Sequence, residues 1–173
     1  MTLALVDQLY FVRASWRDGL ADLSRNDAET RIEPMNPISW MVGHLAAHEQ
    51  TIWLKIPQGR AVDTAVDLCK PGQPAVTPPY DVMLAAWEQI IAETTPYLDA
   101  LTLNDLTQTL TYEGEPLRES TGTMLHRLIY HYWYHLGEMQ AIRQLLGHRD
   151  LPAYVGRIPA SAQFRTDDQT SHT

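Results

Sequence analysis

The chain has 173 residues, 45% of them apolar, and carries 13 Lys plus Arg against 21 Asp plus Glu, for a net charge of −8. That length supports one substantial core and not two. The acidic balance, with no basic run interleaved with aromatics, argues against a surface that tracks phosphates, so nucleic acid is not an expected partner.

No apolar run approaches the roughly 20 residues needed to span a bilayer, and Met1–Asp7 shows neither a basic leader segment nor a small-residue cleavage site, so no membrane partner and a cytoplasmic location are expected. The single cysteine, Cys69, falls in a proline-rich connector and cannot form an internal disulfide. Any metal must therefore be held by nitrogen and oxygen.

In chain order, Leu3, Val6, Leu9, Tyr10, Trp16, Leu20 and Leu23 recur at helical spacing and predict a first helix that ends before the polar run Ser24-Arg25-Asn26-Asp27. Arg13 falls inside this apolar stripe, where snorkelling to the rim is expected ahead of an inward guanidinium. Asn36 before Pro37 reads as an N-cap with proline at the first helical position. It launches a second helix that carries Trp40, Met41, His44, Leu45, His48 and Ile52 and stops near Pro57.

Residues 57–79 hold five prolines and two glycines with little periodicity and read as a long crossover. A third helix follows with Met83, Leu84, Trp87, Ile90, Ile91, Thr94 and Leu98 in register. Thr109–Tyr112 and Glu115–Leu117 around Glu113-Gly114 read as a hairpin. Ser120 or Thr121 then caps a fourth helix that runs through Leu145-Leu146 to Gly147. The expected fold is all-α: a four-helix bundle over residues 1–150 with a long crossover between helices two and three, a short hairpin before helix four, and a C-terminal tail over 151–173.

The chemistry is carried by histidines. His131 and His135 stand one helical turn apart on the fourth helix, and His44 and His48 stand at the same interval on the second. Seven histidines placed at random give about a quarter of one such pair. On the fourth helix Met124, Leu128, His131, His135, Glu138 and Ile142 share a narrow sector, so the two imidazoles sit within an apolar stripe that points into the bundle. Burying them is costly unless their nitrogens find partners, and a divalent ion shared with a histidine of a facing helix satisfies them together. Three imidazoles leave a fourth position open, as in catalytic zinc sites.

A lone histidine on an apolar face is more often a core residue bonded to a carbonyl, and spacing alone gives the two pairs about even weight between metal site and packing. His48 can replace His44, line the pocket or act as an outer partner. Glu138 can orient a ligand, act as a base, or form an ordinary ion pair. His126, about 140° around the helix from His131, faces elsewhere. Tyr130, Tyr132, Trp133 and Tyr134 read as packing and interface residues, and with Tyr130, Trp133 and Tyr134 turned away from the histidine sector a homodimer is expected.

Ser39-Trp40-Met41-Val42-Gly43-His44-Leu45, followed by His131-x-x-x-His135-x-Gly137-Glu138, resembles the DinB/YfiT-like family, which includes relatives of thiol-dependent transferases and maleylpyruvate isomerases. The resemblance covers residues 1–150 in helix order and spacing. It implies a DinB-like four-helix bundle, often dimeric, with His44, His131 and His135 as ligands to a divalent metal, zinc or nickel before iron or manganese, and His48 outside that set. Where the family usually ends His-Arg-Gly-Gln, this chain has His135-Leu136-Gly137-Glu138.

The implied activity is transfer of a low-molecular-weight thiol to a small-molecule electrophile. The alternatives are a hydrolase, with Glu138 or His48 taking a proton from water, and a non-catalytic bundle pinned by a structural ion.

Overall fold

The structure is a computed structural model and describes residues 2–167. Four long helices form the bundle: α1 (Ala4–Leu20), α3 (Ile38–Gln50), α5 (Tyr80–Asp99) and α7 (Thr121–Leu145). α3 packs on α5 and α7, and α7 packs on α1. Of the stripes expected from periodicity, α1 buries Val6, Leu9, Trp16 and Leu20, and α7 buries Met124, Leu128, His135 and Ile142 while His131 and Glu138 are half-buried. Val12 on α1 and Tyr132 and Met139 on α7 are buried as well. The largest wholly buried side chains, Trp16, Trp53, Trp87 and Tyr132, fill the space between the helices. Large aromatic area removed from water is what the bundle gains most from.

A polar network runs through this core and ties all four helices together. Arg13 of α1, 3% exposed, meets the fully buried Glu49 of α3 in a bidentate pair, Nε to Oε1 at 2.8 Å and Nη2 to Oε2 at 2.6 Å. Arg13 Nη2 also donates to Thr94 of α5, Tyr132 of α7 donates to Glu49, and Trp87 of α5 donates to the Tyr132 hydroxyl. Arg13 therefore does not snorkel. A buried guanidinium keeps its charge when a carboxylate takes both forks of its donor set. Glu49 neighbours His48 in sequence and Tyr132 neighbours His131, so the network fixes the two helices beside the histidines.

Several boundaries differ from the expected ones. Asn36 does not cap α3; Pro37 occupies the cap position in extended conformation, and the Asn36 side chain accepts from Arg31 instead. The second helix does stop near Pro57, but it reaches that point by an irregular path. It passes through a π-helical turn, Thr51–Lys55, into α4 (Ile56–Gln58) and ends at Gly59, which takes a left-handed φ of 63°. Pro57 has no N–H for the Trp53 carbonyl, and the Gln58 side chain donates to that oxygen at 2.6 Å in its place.

The polar run after α1 is itself helical, α2 (Arg25–Glu29), capped by Ser24. A second short helix, α6 (Leu103–Thr107), is set by a Thr102/Asp105 capping box. The crossover holds a 3-10 turn, Ala65–Cys69, packed on α3 with Val66 and Cys69 buried. β1 (Thr109–Tyr112) and β2 (Glu115–Ser120) pair antiparallel around Glu113-Gly114, both at positive φ as a tight hairpin turn requires.

Beyond α7, Tyr154 enters the core, and a 3-10 turn (Val155–Arg157) leads into α8 (Ile158–Ser161). The tail lies along α1 through Arg157 to Asp18 and Arg165 to Asp7. Residues 168–173 of the expected tail lie outside the described residues. Among the described residues no helix is long and apolar enough to cross a membrane.

Candidate metal centre

The two helical turns that carry histidine pairs face each other across the α3–α7 contact. The ligand atoms of His44, His48 and His131 lie within 4.8 Å of one another, a group able to hold a metal ion. His135 joins the same cluster. Its Nε2 stands 3.0 Å from His131 Nε2, which in turn stands 3.2 Å from His44 Nε2. Two trios can thus be drawn, one with His48 and one with His135. Two imidazole nitrogens on one tetrahedral ion at the usual bond length sit about 3.3 Å apart. The His44–His131 and His131–His135 separations are close to that value, and the first of them is common to both trios.

The back sides of the rings sharpen the comparison. His44 Nδ1 meets the backbone carbonyl of Cys69 at 2.8 Å, and His135 Nδ1 meets Glu138 Oε2 at 2.6 Å. A carbonyl oxygen only accepts, so His44 carries its hydrogen on Nδ1 and offers a bare Nε2. The Glu138 carboxylate sets the same tautomer in His135. His131 Nε2 faces both lone pairs and has at most one hydrogen to give a neutral ring. A carbonyl or carboxylate behind the ring, as on His44 and His135, is the kind of outer partner that metal-ligating histidines ordinarily have.

Burial keeps the imidazoles uncharged. It lowers His44, against the opposing bond to the Cys69 carbonyl, and pushes His48 and His135 down to about 3 and His131 to about 4, the last three with neighbouring histidines adding to the effect. Neutral rings are the form that coordinates. Burial raises Glu138 above the usual carboxylate range. Trp40 stacks on His44 with ring centroids 4.5 Å apart, and Tyr134 packs edge-on to His135.

His48 stands edge-on to His44 and to His131, with centroids 4.7 and 4.4 Å away, and it lines a cavity of about 360 Å³. Glu138 reaches the cluster only through His135 Nδ1. His126 is exposed, stacks on Tyr130 and lies apart from the cluster. A larger cavity, about 850 Å³, lies between the start of α1 and residues 158–167 and touches none of the four clustered histidines.

Sequence reasoning had no way to assign the Cys69 carbonyl, because a backbone oxygen leaves no residue signal. Nor did it place Glu49 and Tyr132, whose roles depend on Arg13 turning inward. Gly43 shows why α3 and the crossover come so close. A Cβ there would meet Met83 Sδ at 2.4 Å and Cys69 Sγ at 2.6 Å, so only glycine lets the 3-10 turn deliver its carbonyl to the next residue, His44.

A comparison with curated proteins finds no match. The family model of the DinB superfamily matches residues 5–139, which include all four bundle helices nearly to the end of α7 and all four clustered histidines. With more than three quarters of its length matched and its helical bundle and histidine cluster in place, this chain belongs to the DinB superfamily.

Proposed function

We propose that the chain is a metal-dependent enzyme in which Nε2 of His44, His131 and His135 hold one divalent ion and a small-molecule substrate reaches it from the His48 side. The observation that carries this reading is the shortage of hydrogens. His131 Nε2 stands 3.0 Å from His135 Nε2 and 3.2 Å from His44 Nε2, and the latter two are fixed as acceptors by Glu138 and the Cys69 carbonyl. When bound, a divalent ion supplies Lewis acidity at an open position, lowering the pKa of a thiol or water drawn there.

The protein's own groups do the rest. Glu138 and the Cys69 carbonyl orient the ligand rings. His48, with its ring against His131, lines the approach as a neutral hydrogen-bonding group, since burial, which pushes it down to about 3, makes it a weak base. Transfer of a low-molecular-weight thiol to an electrophile is the reaction we favour, on the resemblance of the two histidine motifs to thiol-dependent relatives.

The test begins with metal analysis of the purified protein and its variants. His44→Ala, His131→Ala and His135→Ala are expected to lose stoichiometric metal while His126→Ala keeps it; full occupancy in His131→Ala overturns the site. Turnover of an electrophile only in the presence of a small thiol supports the transferase, whereas turnover in water alone, slowed by added thiol, assigns a hydrolase.

We also propose that the protein is a homodimer paired through α7. Tyr130, Tyr134 and Leu145 are each about two thirds exposed on one side of that helix. Gly137, between them, has open space where its side chain would be. Trp133 is not part of that face: it is half-buried and packs against Phe11, with ring centroids 6.1 Å apart.

A further inference from the structure

Only two of the chain's thirteen Lys and Arg residues are lysines, Lys55 and Lys70, and both line the cavity that holds His48. They come from different segments, Lys55 from the π-helical turn and Lys70 from the crossover just after the 3-10 turn. They share one carboxylate. Asp67 Oδ1 lies 2.7 Å from Lys70 Nζ and 3.4 Å from Lys55 Nζ. Two ammonium groups against one carboxylate leave a surplus of one positive charge on the cavity wall, within a molecule whose net charge is −8. The hydrogen bond to Asp67 raises Lys70 further, so its ammonium form persists at neutral pH.

The cavity connects this charge to the histidine cluster. His44, His48, Thr51 and Lys55 follow one face of the helix at intervals of four, three and four residues, so the ligand-bearing face runs on into the lysine end. Seven residues separate His48 from Lys55, about 10 Å of helical rise, which is the length of a short substrate chain. Tyr112 from the hairpin closes the far wall. A volume of about 360 Å³ lies at the small end of ligand pockets and admits a compact metabolite, not a peptide or nucleotide.

We propose that Lys55 and Lys70 form the subsite for a single carboxylate on a small substrate whose reacting end lies at the histidine cluster. The placement of the reacting end rests on the metal-dependent reading above; the anion subsite itself does not. One net positive charge matches a monoanionic carboxylate. Lysines, as compact point charges on flexible stems, hold it without the planar fork of an arginine. The crossover and the hairpin, besides packing on the core through Val66, Cys69, Leu110 and Leu117, gain a role as the walls that carry Lys70 and Tyr112.

Because the chain has two lysines, each can be watched separately. The full-length protein labelled with carbon-13 at the lysine ε-carbon gives two side-chain signals, assigned with Lys55→Arg and Lys70→Arg. Titration with hexanoate is expected to shift both signals saturably, and hexanamide, of the same shape without the charge, is expected to leave them in place. Lys55→Gln with Lys70→Gln, read through the amide signals of Thr51 and Tyr112, should weaken hexanoate about tenfold or more. Equal response to hexanoate and hexanamide, or no saturable shift, overturns the subsite. Tighter binding of inorganic phosphate than hexanoate overturns its assignment to a carboxylate. If the double variant melts lower but binds hexanoate as before, the lysines merely clamp Asp67 and the proposal fails. None of these readouts needs a metal, so repeating the titration in His131→Ala separates the two readings: a retained shift keeps the subsite even where the metal site has been disproved.

Discussion

Arg13 and Gly43 show how single residues set the site without touching it. Arg13→Met removes the cation but leaves the Glu49 carboxylate, the Tyr132 hydroxyl and Thr94 in a dry core. Breaking one side of such a pair costs about 3–5 kcal/mol, because the remaining charge has lost its counter-charge. In a domain of this size that lowers the melting temperature by about 10 °C. The double change Arg13→Met, Glu49→Leu should recover most of the loss in thermal denaturation; a single variant as stable as the parent would show that the pair carries no such strain.

Gly43→Ala acts through the carbonyl behind His44. Its methyl group has to displace Met83 or Cys69, at a cost of about 1–3 kcal/mol. Moving the Cys69 carbonyl off His44 Nδ1 is expected to weaken metal binding about tenfold, as loss of an outer partner does. Competition with a coloured chelator measures that, and unchanged affinity would remove the carbonyl from the site's function.

At the scale of elements, the readable parts were those whose residues repeat. Period-3.6 stripes marked all four bundle helices, and the i, i+4 interval marked both histidine pairs, because a helix turns spacing into a shared face. The hairpin was legible from the glycine turn at Gly114, while the positive φ of Glu113, where asparagine or aspartate is the usual choice, was not. The short helices α2 and α6 were not, since five residues with only Ala28 in one and Leu103 and Leu106 in the other hold too little apolar pattern to be told from a loop. They form because Ser24 and Thr102 cap them. The π turn ahead of Pro57 was hidden for a different reason: the Gln58 side chain takes up the hydrogen bond that proline cannot make, and neither feature has a sequence signature.

α7 carries the prediction that belongs to this scale. A glycine inside a helix costs about 1 kcal/mol relative to alanine. Among the described residues nothing lies within 4 Å of where a Gly137 side chain would be, and a second helix approaching closely between Tyr130 and Leu145, as proposed, would make use of that room. Light scattering should give twice the 19.7 kDa chain mass, and Tyr130→Arg with Leu145→Arg should give the monomer. A monomeric parent protein at micromolar concentration would refute the pairing.

For the whole molecule, the histidine cluster links folding, metal and pH. An unfolded histidine titrates near about 6.5, while burial holds His48 and His135 at about 3 and His131 at about 4. The folded-state values are depressed, so below the unfolded value the unfolded chain binds more protons and acid favours it. Stability from these groups is complete above about pH 6.5 and is lost progressively as pH falls through the folded values. The metal-free protein should therefore show a melting temperature that is flat from pH 7 to 8 and declines steadily below about 6.5.

A bound ion changes both height and slope. At free metal a thousand times its dissociation constant the folded state gains about 4 kcal/mol, some 10 °C in a domain of this size. Protons then compete with metal for the same Nε2 atoms, so the advantage of the metal-loaded protein should shrink on acidification until the two curves merge. Differential scanning calorimetry from pH 8 to pH 4, with and without chelator, measures both curves. Coincident curves at neutral pH would mean that no ion spans α3 and α7, and a metal-dependent gain that persists unchanged to pH 4 would mean that its ligands are not these imidazoles.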